Sequence, residues 1–226
     1  MKSLPAGAVL LLALALAACA APPSPSVAPL ACPTSAPTAD QATAILADAT
    51  RAVVKTSLGS FTIELDARTA PIATANFVAL ARCDFYAQIS FHRVLAGFVA
   101  QAGDPQTRAN HGAFDGLGSG GPGYAFEVEF PDQAQPYDQY VVAMANAMQY
   151  DAVTGEITGG TDTNGSQFFI DLANLVGGLR PYYSVIGKVL EGTEVVDVIG
   201  AVPVGDQRGV PTEPVIIESV TIQSGS

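Results

Sequence analysis

From Arg51 onward the chain is a succession of short segments rich in valine, isoleucine and phenylalanine, broken repeatedly by glycine. Nine of them have strand character: "AVVKTS", "FTIELD", "ISFHRV", "GFVAQA", "AFEVEF", "YVVAMA", "SQFFID", "YSVIGKVL" and "VIIESVTIQ". Gly59 marks the turn of a first hairpin, and Ala96 with Gly97 a later one. Two segments have helical character. "PIATANFVALARC" starts with Pro71 in the first turn, where a missing N–H costs nothing, and "TEVVDVIG" is the other. Short strands at this density expose many edges, which closure into a barrel removes. The expected fold is mainly β, a closed eight-stranded antiparallel barrel capped by two α-helices over residues 51–226.

The N-terminus is a different kind of sequence. Lys2 precedes "AVLLLALALAA", an apolar run too short and too rich in small residues for a settled membrane span, so residues 1–18 have the form of an export signal. It runs into "LAAC", which resembles the bacterial lipobox and makes Cys19 the expected lipidation site. Residues 19–50 follow as a tether, with six prolines between Pro22 and Pro37 and almost no charge. Extended, twenty such residues reach about 60 Å. The expected location is extracytoplasmic, held to a bacterial envelope membrane by lipid.

With Cys19 given to lipid, Cys32 and Cys83 remain, and an even remainder in an oxidising compartment points to a bridge between them. Closing that loop would stabilise by about 4 kcal/mol in the chain-entropy model.

Charge and motif spacing exclude several functions. The formal net charge is −11, with no basic patch for a phosphate backbone, so nucleic acid is not an expected partner. "GLGSGG", Gly116 to Gly121, matches a dinucleotide fingerprint in letters only, because Pro122, Gly123 and a strand follow it where a helix is required. His92 sits inside a strand and His111 in a glycine-flanked loop, neither beside a nucleophile, and there is no G-x-S-x-G elbow. Asp151, Glu156 and Asp162 match no calcium-loop spacing, so Met148 to Thr163 is expected as a solvated insertion without metal.

What remains is polar groups set into apolar strands: Arg93 and Gln101, then Asn146 in "MANA", then Asn164 and Gln167 in "TNGSQFFI". Phe98, Val99, Phe169 and Leu179 accompany them. Together they describe an apolar slot edged by neutral amides and one cation, with no acid, base or nucleophile. Rotation about an X-Pro amide needs only this. Its barrier is roughly 20 kcal/mol, set by amide resonance, and no covalent bond has to break. A guanidinium can hydrogen-bond to the proline nitrogen as conjugation is lost, and removing about 7 kcal/mol would speed rotation by about five decades.

The same blocks, "FHRVLAGFVAQAGD", "MANA" and "TNGSQFFI", with "NFVAL" before and "IGKV" after, resemble the signature blocks of the cyclophilin-type peptidyl-prolyl cis-trans isomerases, from about Val53 to Ile222. The resemblance implies that Arg93 is the catalytic cation, with Gln101 and Phe98 beside it. Val99, Phe169 and Leu179 complete the proline pocket, Tyr183 walls it, and Ala145, Asn146 and Gln167 hold the peptide backbone. It implies no cofactor, and partners that are proline-containing segments of extended chains; a groove used only to hold such segments, as a chaperone does, is the alternative. His92 is a core neighbour of the arginine in this family. The chain departs from it in the small Val99 where methionine is common, in Tyr183 where histidine is common, and in having about Gly178 where a tryptophan binds cyclosporin. No coiled-coil heptad argues for an oligomer, so a monomer is expected.

Overall fold

The computed structural model describes residues 30–131 and 137–224; Cys19, where lipidation is expected, and the stretch expected as an export signal lie outside them. Strands β1 (Arg51–Thr56) and β2 (Gly59–Leu65) form the expected hairpin. Then come β3 (Ile89–Phe91), β4 (Arg93–Leu95), β5 (Val99–Ala102), β6 (Val141–Met144), β7 (Gln149–Tyr150), β8 (Ile157–Gly159), β9 (Phe168–Asp171), β10 (Val185–Glu191) and β11 (Val215–Gln223). All but β7 and β8 belong to one antiparallel sheet, in the order β3-β11-β1-β2-β10-β6-β9-β5-β4.

The two edge strands of that sheet, β3 and β4, are separated in sequence by His92 alone. One half of the expected strand "ISFHRV" pairs with β11 and the other with β5. The sheet's ends therefore meet at His92, and the barrel is nearly closed with nine strand segments where eight strands were expected. The extra segment is this break, imposed because one strand must turn to serve both edges. The segment "AFEVEF", expected as a strand, makes only an isolated bridge between Phe126 and Asn164. Its backbone-to-backbone bonds go to 161–164, Phe126 N to Asn164 O and Val128 N to Thr161 O, and Glu129 N donates to the Ser184 side chain at 2.8 Å.

Alternation along the strands sorts side chains between two apolar clusters. Phe61, Ile63, Phe91, Phe168, Ile170 and Ile186 fill the interior. Val99, Val141, Ala143, Phe169 and Val185 face the other way and form a second cluster on the outer surface. Helices α2 (Pro71–Arg82) and α3 (Thr193–Gly200) bury Ala73, Phe77, Leu80, Val196 and Ile199 in the interior cluster. The N-terminus of α2 lacks a side-chain cap of its own. Glu129 supplies one from a distance, its carboxylate oxygens accepting from Ile72 N at 3.1 Å and Ala73 N at 2.8 Å.

A third helix, α1 (Ala39–Leu46), lies within residues 19–50, the stretch expected as tether. Thr38 and Gln41 form a reciprocal capping box at its start. Arg82 fastens it to α2, donating to Ile45 O at 3.0 Å and to Asp48 at 2.7 Å. Cys32 and Cys83 are joined by a disulfide, which secures the segment preceding α1 to the end of α2. The folded unit therefore begins before residue 51.

Candidate active site

The outer cluster owes its composition to strand register. Arg93 pairs with Gln101, Gln101 with Phe169, Phe169 with Ala143, and Ala143 with Val185, so one row of cross-strand neighbours runs over five strands on a single face. In β5 the alternation is visible residue by residue: Val99 and Gln101 face this surface, while Ala100 and Ala102 belong to the interior. The polar groups set into apolar strands are thus the outward half of a two-faced sheet.

A pocket of about 160 Å³ opens on this row, lined by Arg93, Phe98, Val99, Gln101, Ala145, Asn146, Phe169, Leu179 and Tyr183. Phe169 and Tyr183 meet edge to face at 5.1 Å, and the Arg93 guanidinium lies 5.9 Å from the Phe98 ring centre. Tyr137, which the sequence had not singled out, braces Tyr183 twice: its hydroxyl donates to Tyr183 O at 3.0 Å and accepts from Tyr183 N at 3.1 Å. Burial pushes both phenols above their usual range, so both stay neutral.

Two of the amides expected at the slot are absent from that pocket: Asn164, fully buried with its Nδ2 donating to Glu127 O and Ser184 Oγ, and Gln167. Gln167 lines an adjoining cavity of about 520 Å³ that shares Gln101, Ala145 and Asn146 with the first, and so extends it into a groove. A larger depression of about 890 Å³, lined by Glu64, Arg68 and Lys188 among others, contains none of these residues. Asn146 spends its side chain inside the protein, donating to Tyr182 O of the segment before β10 at 2.8 Å and accepting from Met148 N of its own loop at 3.1 Å. What it can offer a peptide is its main chain.

Arg93 is held by a chain of amides. Its Nη1 donates to Gln101 Oε1 at 3.4 Å, and Gln101 Nε2 donates to Gln167 Oε1 at 2.9 Å. Gln167 Nε2 in turn donates to Gly118 O and Gly120 O, both at 2.8 Å. The run "GLGSGG" therefore has a purpose that its resemblance to a nucleotide loop had hidden: it is one wall of the groove. His92 is no part of the groove. It is almost fully buried, and burial pushes its pKa down to about 4 against the smaller opposing pull of Asp104 and of the Gln167 side chain. No group of three or more metal-ligating side chains occurs among the described residues.

An apolar slot beside a fixed cation, edged by amides and lacking a nucleophile, defines a class of enzyme: one that turns X-Pro amides without making or breaking a covalent bond. The chain belongs to the cyclophilin-type peptidyl-prolyl cis-trans isomerase family, whose model matches residues 51–222. Peptidyl-prolyl cis-trans isomerase A of Mycobacterium tuberculosis is 37% identical over 195 residues, covering 78% of this chain and 93% of that one. The isomerase-like protein 3 of Dictyostelium discoideum is 35% identical over 172 residues, 75% of this chain and 92% of its own. A crystal structure of a Cryptosporidium parvum cyclophilin-type isomerase, obtained in the presence of the dipeptide Ala-Pro, superposes with a TM-score of 0.64 at 30% identity, covering 77% of this chain and 99% of that one.

Proposed function

We propose that this isomerase acts on proline-containing segments of extended chains, with the proline ring in the pocket of Phe98, Val99, Phe169 and Leu179 and with Arg93 as the catalytic cation. The observation that carries this reading is the cross-strand row Arg93–Gln101–Phe169, which sets the guanidinium and the pocket's aromatic wall on one face. A ring held against Phe169 has its nitrogen on the guanidinium side of the slot. As the amide twists, that nitrogen regains a lone pair and becomes an acceptor, so the Arg93 hydrogen bond is stronger in the transition state than in either ground state. Main-chain contacts along Ala145 and Asn146 hold the preceding residue while the bond turns. No proton is transferred, so the reaction needs neither His92 nor His111. In a protease-coupled assay on an X-Pro peptide, Arg93→Ala is expected to lose about 100-fold or more in kcat/KM; a variant as fast as wild type would remove Arg93 from the mechanism.

The working compartment is, in this reading, extracytoplasmic, with a monomeric domain carried on lipid at Cys19. The Cys32–Cys83 bridge supports an oxidising environment. Cys19→Ala is expected to move the protein from the membrane to the soluble fraction, and unchanged membrane association would refute lipid attachment there.

A further inference from the structure

We propose that Asp104 is a positioning residue for the isomerase reaction: its buried carboxylate, clasped by the glycine loop 116–121, fixes which way the Gln167 and Gln101 amides point and so what the Arg93 guanidinium faces. Asp104 is fully buried and lies outside both cavities that form the groove. Its Oδ2 accepts from Gly118 N at 2.7 Å and Gly120 N at 3.3 Å, and its Oδ1 from Gln106 N at 2.9 Å. A carboxylate has acceptors only, so the N–H groups of alternate loop residues must turn towards it. The carbonyls of the same two residues face the opposite way, where Gln167 Nε2 donates to both.

That arrangement has one polarity. Only the NH₂ end of the Gln167 amide can serve two carbonyls, so its oxygen is left for Gln101, whose NH₂ must donate to it. The Gln101 oxygen is then the end presented to Arg93. A reversed Gln167 would set its oxygen against two carbonyls and its NH₂ against that of Gln101, and a reversed Gln101 would turn an NH₂ to a guanidinium that has no acceptor, pushing the cation from its place beside the pocket. Glycine is required where the loop wraps the carboxylate: a Cβ on Gly120 would lie 2.0 Å from Asp104 Oδ1.

Asparagine at position 104 is isosteric but has one oxygen for two sets of N–H groups, so one set would meet an NH₂. Asp104→Asn is expected to lower kcat about 10-fold or more with KM within about 2-fold of wild type, a displacement effect and not a loss of peptide binding. The decisive readout is the double-mutant cycle with Gln101→Ala, corrected for folded fraction by urea unfolding. With the chain already cut at Gln101, Asp104→Asn should cost less than about 2-fold further. Losses that multiply, or an Asp104→Asn enzyme as active as wild type, would overturn the proposal while leaving isomerase activity itself standing; an inactive wild type would instead overturn the activity. Should Asp104→Asn not fold, side-chain amide NMR of the wild-type protein decides. Slow exchange of both Gln167 Nε2 hydrogens, with couplings across the hydrogen bonds to the Gly118 and Gly120 carbonyls, is the expected result, and free exchange of that amide refutes it.

Discussion

Two buried side chains give the stability of this enzyme opposite responses to pH. Burial lowers His92 to about 4 from 6.5, so the folded state keeps it neutral while the unfolded chain takes up a proton. Its contribution is complete above pH 6.5 and is lost as pH falls towards 4, by about 1.4 kcal/mol per unit. Asp171, paired in register with Val99 behind the pocket, is fully buried, and neither carboxyl oxygen has a hydrogen-bond partner among the described residues. Burial, with a smaller contribution from Asp138, raises it to about 8 from 3.8. The unfolded carboxyl ionises above 3.8 and the folded one does not, so this contribution is present at low pH and drains away up to pH 8. Between about pH 4 and 6.5 the two slopes oppose each other, and above that range only Asp171 of the pair acts. An Asp171→Asn variant should therefore have a higher urea midpoint than wild type at pH 8 and nearly the same one at pH 4; an equal gain at both would contradict this. At this scale the site was legible in the sequence wherever a residue's type clashed with its setting, as for Arg93, Gln101 and Gln167. Asp104 and Tyr137 gave no such signal, since an aspartate before proline and a tyrosine in a loop are ordinary until their partners are seen.

Element by element, legibility followed how local the determining forces are. Helix α2 announced itself through Pro71 and its apolar spacing, yet the group that caps it, Glu129, comes from a segment whose alternation reads as a strand. Glu129→Ala is expected to lower stability by about 1–2 kcal/mol, seen as a shifted unfolding midpoint with KM unchanged; an unmoved midpoint would show that water caps the helix as well. Helix α1 carried a usable signal, Thr38 three residues before Gln41, but its proline-rich surroundings spoke for a tether. Eight residues are too few to hold a helix in water unaided, so α1 depends on Arg82 and on the disulfide nearby. The Cys32→Ser, Cys83→Ser double variant should lose up to about 4 kcal/mol. It should keep its activity, because no groove-lining residue belongs to α1 or α2; a loss of activity in still-folded enzyme would show that this end of the molecule reaches the groove. The 148–163 insertion, expected as plain solvated chain, contains the β7–β8 hairpin, with Tyr150 and Tyr182 in contact at 5.4 Å.

For the whole molecule, barrel closure could be inferred from strand length and number, but not the place where the barrel closes. That depends on pairings between residues far apart in sequence, and it falls on the strand that carries Arg93. Strand β11 lies between β1 and β3 in the sheet, with Arg51 opposite Gln223 and Phe91 opposite Val215. Contacts so distant in sequence make for slow, late assembly. A growing chain can form the β1–β2 hairpin and helix α2 early, but the space between β1 and β3 stays open until residue 223 has been made. The segment bearing Arg93 acquires its second edge only then. An isomerase that can hasten slow steps in other chains thus completes its own active face only once its last strand has been made.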